Sequence, residues 1–170
     1  MKSISFRNDI LPLKNVLYRL ALRITLSHED AEDVVQDTLL KVWSRKNDWQ
    51  QIQNIEAYAM TIARNLALDK MKRVTAHLAS LDSMPVNEQA KSHNPYERIF
   101  EQDRLQFVRN LIDQLPEKQR SCMQLRDVEE KSYREISDIL GITEEQVKVS
   151  IFRARQTIKQ KIKEAEEYGL

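Results

Sequence analysis

Six cations, Lys148, Arg153, Arg155, Lys159, Lys161 and Lys163, crowd the stretch from Thr143 to Lys163 against only two acids, Glu144 and Glu145. At about 100° per residue, Glu145, Gln146, Val149, Phe152, Arg153 and Gln156 share one face, flanked by Lys148 and Arg155. Val147, Ile151, Ala154, Ile158 and Ile162 form the opposite stripe and are the core side. A merely solvated face would be polar throughout, and Val149 and Phe152 break that rule. Arginine and lysine suit phosphates and guanine edges, while apolar groups suit thymine methyls and sugar edges. The chemistry on offer is that of reading duplex DNA.

Catalytic sets are missing by comparison. His28, His77 and His93 are scattered without metal-ligand spacing. With Gly141 and Gly169 as the chain's two glycines, no Gly-rich phosphate loop can be built. No serine, cysteine or acid has a base partner that sequence identifies. The expectation is a protein that is not an enzyme and holds no metal or cofactor.

Two further patches carry chemistry. His28 to Thr38 holds five acids, Glu29, Asp30, Glu32, Asp33 and Asp37, and no Lys or Arg. On a helix its outer face shows Asp33, Gln36, Asp37 and Leu40, with Trp43 beside them. An apolar anchor in a charged rim is the anatomy of a protein contact; a solvated acidic helix start fits equally well. The other patch is ARNLALDKMKR, where Met60, Thr61, Arg64, Leu68, Met71 and Lys72 point away from the core and Asn65 sits at the edge. Basic groups mixed with apolar ones suit a nucleic-acid strand with unstacked bases, or a docking surface. The loop before it, with Trp49, Gln50, Gln51, Gln53 and Asn54, offers amides and an aromatic ring able to hold an extruded base.

The elements that position these groups are helical. Gly and Pro number 2 and 4 among 170 residues, which leaves little material for hairpins. SYREISDIL places Tyr133, Ile136 and Leu140 on one face and ends at Gly141; Thr143 and Gln146 then form a capping box for the basic helix. Two short helices joined by about three residues with a glycine make a helix-turn-helix. Upstream, Leu17, Leu20, Ala21 and Ile24 mark a first helix, with a further short helix before it. Ser27 and Asp30 open a second, whose inner stripe is Ala31, Val35, Thr38 and Val42. Ile55, Tyr58, Ala59, Ile62 and Leu66 face inward on a third. Periodicity fades from about Val74 to Pro95, and helix resumes at Tyr96 with Ile99, Phe107, Val108, Leu111, Ile112 and Leu115 as its buried side. A linker of roughly 20 residues inside one compact domain would be unusual, so the reading is all-α: two small helical domains, 1–76 and 96–170, joined by a flexible linker over 77–95.

A net charge of +1 conceals this segregation into acidic and basic segments. Cys122 stands alone, which fits a reducing cytoplasm and a small buried residue. Nothing resembles a signal peptide or a membrane span.

In this order and spacing, the segments resemble a bacterial RNA polymerase sigma factor of the extracytoplasmic-function group. DAEDVVQDTLLKVW is similar to sigma region 2.2, the segment ending in IARNLALDKMKR to regions 2.3 and 2.4, and LPEKQRSCMQLRDVEEKSYREISDILGITEEQVKVSIFRARQTI to region 4.2. The resemblance implies an alternative sigma factor that binds core RNA polymerase, both β′ and β subunits, and directs initiation at promoter DNA. Asp33, Gln36, Asp37 and Leu40 would contact the β′ clamp helices. Trp49, Asn54, Arg64, Asn65 and Lys72 would serve the −10 element. Lys148, Ser150, Phe152, Arg153 and Arg155 would meet the −35 element. A restraining anti-sigma factor and a monomeric free state are implied as well. Val149-Ser150 stands where many relatives have Ser-Arg, and Glu130-Lys131 where they carry Gly and an apolar residue. The alternative is a response regulator or repressor binding a palindrome as a dimer; an adaptor without a DNA role fits the basic helix poorly.

Overall fold

The computed structural model describes residues 3–80 and 100–169, and every regular element among them is helical. The chain enters through a π-helical turn at Phe6–Ile10 and a 3₁₀ turn at Leu11–Leu13. Seven α-helices follow among the described residues: α1 (Lys14–Thr25), α2 (His28–Ser44), α3 (Ile55–Ser80), α4 (Phe100–Asp113), α5 (Glu117–Met123), α6 (Tyr133–Leu140) and α7 (Glu144–Glu167). Residues 81–95 of the expected linker and the helix start expected around Tyr96 and Ile99 lie outside the described residues. Helix α3 runs to Ser80, past the domain end expected at residue 76.

Helices α1, α2 and α3 form the N-terminal bundle. Leu17, Leu20, Ala21 and Ile24 are fully buried, the i, i+3, i+4, i+7 stripe of an amphipathic helix. Leu26, in the left-handed conformation at φ 56°, ends α1 by donating its N–H to the Leu22 carbonyl. The Ser27 hydroxyl then accepts the Asp30 N–H and starts α2. Ala31, Val35, Thr38 and Val42 are buried as their spacing predicts, and Val34 joins them. On α3 the buried line is Ala59, Met60, Ala63 and Ala67; the alanines let α1 and α2 approach closely.

Helices α4 to α7 form the C-terminal bundle. Pro116 precedes α5, where its fixed φ suits a helix start. Ser132 and Glu135 make a capping box for α6, and Thr143 and Gln146 make the predicted one for α7. Between them Gly141, at φ 66°, closes α6 with its N–H on the Ser137 carbonyl. Leu111, Leu115, Ala154 and Ile158 pin α4 to α7, whereas Phe107, expected inside, is exposed.

The two bundles pack together. One apolar cluster runs continuously from α1–α3 to Cys122, Leu125, Ile136, Ile139, Leu140, Val147 and Ile151. Ion pairs rim that seam. Arg19 donates to both Glu129 oxygens at 2.6 and 2.9 Å, Arg23 meets Asp113 at 2.6 Å, and Lys131 meets Glu56. The buried Arg120 guanidinium reaches the Ile24 carbonyl at the end of α1 and the Asp113 carbonyl; burial lowers its affinity for its proton.

Candidate polymerase and promoter-binding surfaces

On α2 the acidic face forms as the helical spacing requires. Asp33, Gln36, Asp37 and Leu40 are all exposed, with Leu40 retaining 67% of its surface. Asp33 pairs with Lys70 of α3 at 3.5 Å. Trp43 stands beside them, its ring met edge-on by Phe6 and covered by the Lys46 ammonium. An exposed leucine and tryptophan among carboxylates constitute a surface with apolar area to bury in a partner.

The loop and α3 residues do not form one open strand-binding face. Trp49 is 94% removed from solvent and its indole N–H donates to the Val42 carbonyl at 2.8 Å, so it supports the loop instead of offering a stacking face. The Asn54 side-chain oxygen accepts the Ala57 N–H and caps α3. Asn65 and Lys72 are exposed. Met60, expected on the outer face, is fully buried. Thr61 and Arg64 are covered by the other bundle: the Thr61 hydroxyl, which donates to the Ala57 carbonyl of its own helix at 2.9 Å, also lies 3.3 Å from the Ile139 carbonyl, and Arg64 donates to the Leu140 carbonyl at 3.3 Å. Arg64 Nε also stands 3.5 Å from a Glu117 carboxylate oxygen, an ion pair without an aligned hydrogen bond.

Helix α7 presents Lys148, Val149, Phe152 and Arg153 outward, and Phe152 keeps 64% of its surface exposed. Two of its expected reading residues serve the bundle. Ser150 is buried beside the Cys122 thiol, whose pKa desolvation pushes up to about 11. Arg155 binds Asp127 at 2.6 Å, tying α7 to the segment before α6. Lys148 and Arg126 approach the Tyr133 ring from above, at 5.4 and 4.4 Å from its centroid.

Sequence reasoning missed the ion pairs of the seam, because a pair 110 positions apart, such as Arg19–Glu129, leaves no periodic trace; the apolar seam residues Ile136, Leu140, Val147 and Ile151 were legible as buried stripes but not as contacts with the other bundle. Among the described residues no cluster of three or more His, Cys, Asp or Glu could hold a metal. No described helix is long and apolar enough to cross a membrane.

An acidic-faced N-terminal bundle joined to a C-terminal helix-turn-helix defines a class of two-module helical proteins. The model for sigma-70 region 2 matches residues 10–76, and that for sigma-70 region 4 matches residues 106–158. The sigma factor SigL of Mycobacterium tuberculosis is 31% identical over 152 residues, covering 88% of this chain and 84% of that one. SigE of Mycolicibacterium smegmatis, also an extracytoplasmic-function sigma factor, is 32% identical over 149 residues; the match covers 84% of this chain but 56% of SigE. The sigma factor RpoE of Bartonella quintana, solved in complex with the anti-sigma factor NepR, superposes with a TM-score of 0.75 at 25% identity, covering 93% of this chain and 96% of that one. CnrH, solved with the cytosolic domain of CnrY, shares the fold at a TM-score of 0.64 and 19% identity, over 91% of this chain and 84% of its own. The chain belongs to the extracytoplasmic-function group of RNA polymerase sigma factors. This removes the repressor and adaptor alternatives.

Proposed function

We propose that the chain binds core RNA polymerase through the α2 face, with Asp33, Gln36, Asp37 and Leu40 on the β′ clamp helices, and there directs initiation at a defined set of promoters. Residues 1–76 serve the polymerase and the melted −10 strand, where Arg64, Asn65 and Lys72 bind and Asn54 and Trp49 shape the adjoining loop. Residues 96–170 hold the −35 duplex on α7, with Phe152, Arg153 and Lys148 in contact and Ser150 and Arg155 setting the helix in place. Residues 77–95 span the two. The protein works in the cytoplasm as a monomer, by positioning DNA and polymerase, with no catalytic step of its own. Neither DNA contact need be strong, because polymerase tethers both and raises the effective concentration of each.

The observation that carries this reading is the pairing of an exposed acidic face with an apolar anchor on α2 and an outward cationic, apolar face on α7. In the packed arrangement Arg64 is occupied by Glu117 and the Leu140 carbonyl. Capture of the −10 strand therefore requires the bundles to part, and a protein that holds them together restrains the chain. An anti-sigma factor fills that role here; the Bartonella relative is solved with one. The test is reconstitution of core polymerase with the chain and a promoter library. Selective initiation at sequences sharing −10 and −35 elements supports the proposal; tight, specific duplex binding by the chain alone, indifferent to polymerase, refutes it.

A further inference from the structure

Helix α5 contributes a cation to the same concavity as the outward face of α7. A groove of about 510 Å³ is lined by Lys118 of α5 and by Thr143, Glu145, Gln146, Val149, Ser150 and Arg153 at the start of α7. Lys118 is exposed and its side chain forms no hydrogen bond or ion pair among the described residues. The same holds for the Arg153 guanidinium. The neighbouring carboxylate, Glu117, is already engaged by Arg64 and by the Ser121 hydroxyl. Two cations on different helices, neither in an ion pair, thus line one open groove with a single carboxylate, Glu145, and the excess positive charge favours an anion on the Lys118 and Arg153 side.

We propose that this groove seats a backbone phosphate of the −35 duplex, with Lys118 as an anchoring cation supplied from outside the reading helix. The inference rests on the −35 reading of α7 and extends it to α5. A helix lying in the major groove has the phosphate ridges of both strands beside it. A lysine held on a second helix reaches such a ridge as a compact point charge. A contact of this kind fixes the register of α7 on the duplex without itself reading sequence. Glu145 carries the opposite sign within the same lining, where a carboxylate accepts from a cytosine amino group and disfavours a phosphate. The phosphate therefore sits toward Lys118 and Arg153.

The test uses the full chain on core polymerase and measures promoter affinity across a salt series. Lys118→Gln is expected to weaken binding roughly three- to tenfold near 0.1 M salt and to reduce the slope of log affinity against log salt by about 0.9. The loss is uniform across −35 variants, and Lys118→Arg restores both readings. A structural role for Lys118 would leave the salt slope unchanged. A loss confined to particular −35 sequences means a base contact and overturns the phosphate seat. Arg153→Ala run in parallel separates the levels. If Arg153→Ala weakens −35-dependent binding while Lys118→Gln is silent, the phosphate seat is wrong; if both are silent, the −35 reading beneath it falls as well.

Discussion

Replacing Glu129 by Gln should loosen the seam between the bundles. The Glu129 carboxylate is 6% exposed and takes two hydrogen bonds from Arg19, at 2.6 and 2.9 Å, with a third at 3.4 Å from Gln124 within its own bundle. Glutamine keeps the shape but offers one acceptor oxygen and no charge. A bidentate, charge-assisted pair is among the stronger polar contacts, and its hydrogen bonds hold Arg19 more firmly protonated. Because the Arg19 side chain is 44% exposed, its lost partner is largely replaced by water. The net loss is therefore roughly 1–2 kcal/mol, a factor of about 5–30 between packed and parted bundles. Fluorophores on Lys41→Cys and Lys161→Cys report the separation by energy transfer. Cys122 is buried and stays unlabelled. Transfer should fall in Glu129→Gln at low salt, and in the parent as salt rises toward 1 M, where screening shortens to about 3 Å. The apolar seam keeps a packed fraction in both. Equal transfer in parent and variant at every salt concentration would refute the claim that Arg19–Glu129 holds the bundles together.

Other expectations are local. Glu130 has φ 55°, a conformation that costs a side-chain-bearing residue about 1–2 kcal/mol. Glu130→Gly should stabilise by up to about 1 kcal/mol once glycine's greater unfolded-state entropy is subtracted, read as a higher melting temperature. Thr143→Ala removes the α7 cap and should cost about 1 kcal/mol by denaturant titration. For Cys122 the folded thiol is raised to about 11 from an ordinary 9. The folded state holds the proton more tightly, so this stabilisation is complete below pH 9 and is lost as pH rises through 9 to 11. Cys122→Ala should flatten the alkaline limb of a stability–pH curve.

Much of the architecture was legible because it is periodic. The stripe Leu17, Leu20, Ala21, Ile24 and the cap Thr143–Gln146 are local signals, and both stand as the spacing predicts. The exposed set Asp33, Gln36, Asp37 and Leu40 follows from the same arithmetic. Tertiary context decided the rest. Met60 and Arg64 lie on the outer side of α3 only when that helix is considered alone; α6 and α5 cover that side. Trp49 looked available because a polar loop surrounds it, yet its indole found the Val42 carbonyl. Ser150 lies between the reading face and the core stripe, and packing against the rest of the bundle buries it. Lys118 precedes the reading helix by more than two dozen residues, and only the folded groove brings it to Arg153.

The most direct measurement is the affinity of the full chain for core RNA polymerase, titrated for the parent and for the Asp33→Ala/Gln36→Ala double variant. Both positions are exposed, so the variant should fold and melt as the parent does. Saturable one-to-one binding, weakened about tenfold or more in the variant, is the predicted result; a loss of that size equals about 1.4 kcal/mol. An absence of measurable association for the parent, or binding indifferent to both substitutions, would contradict the account.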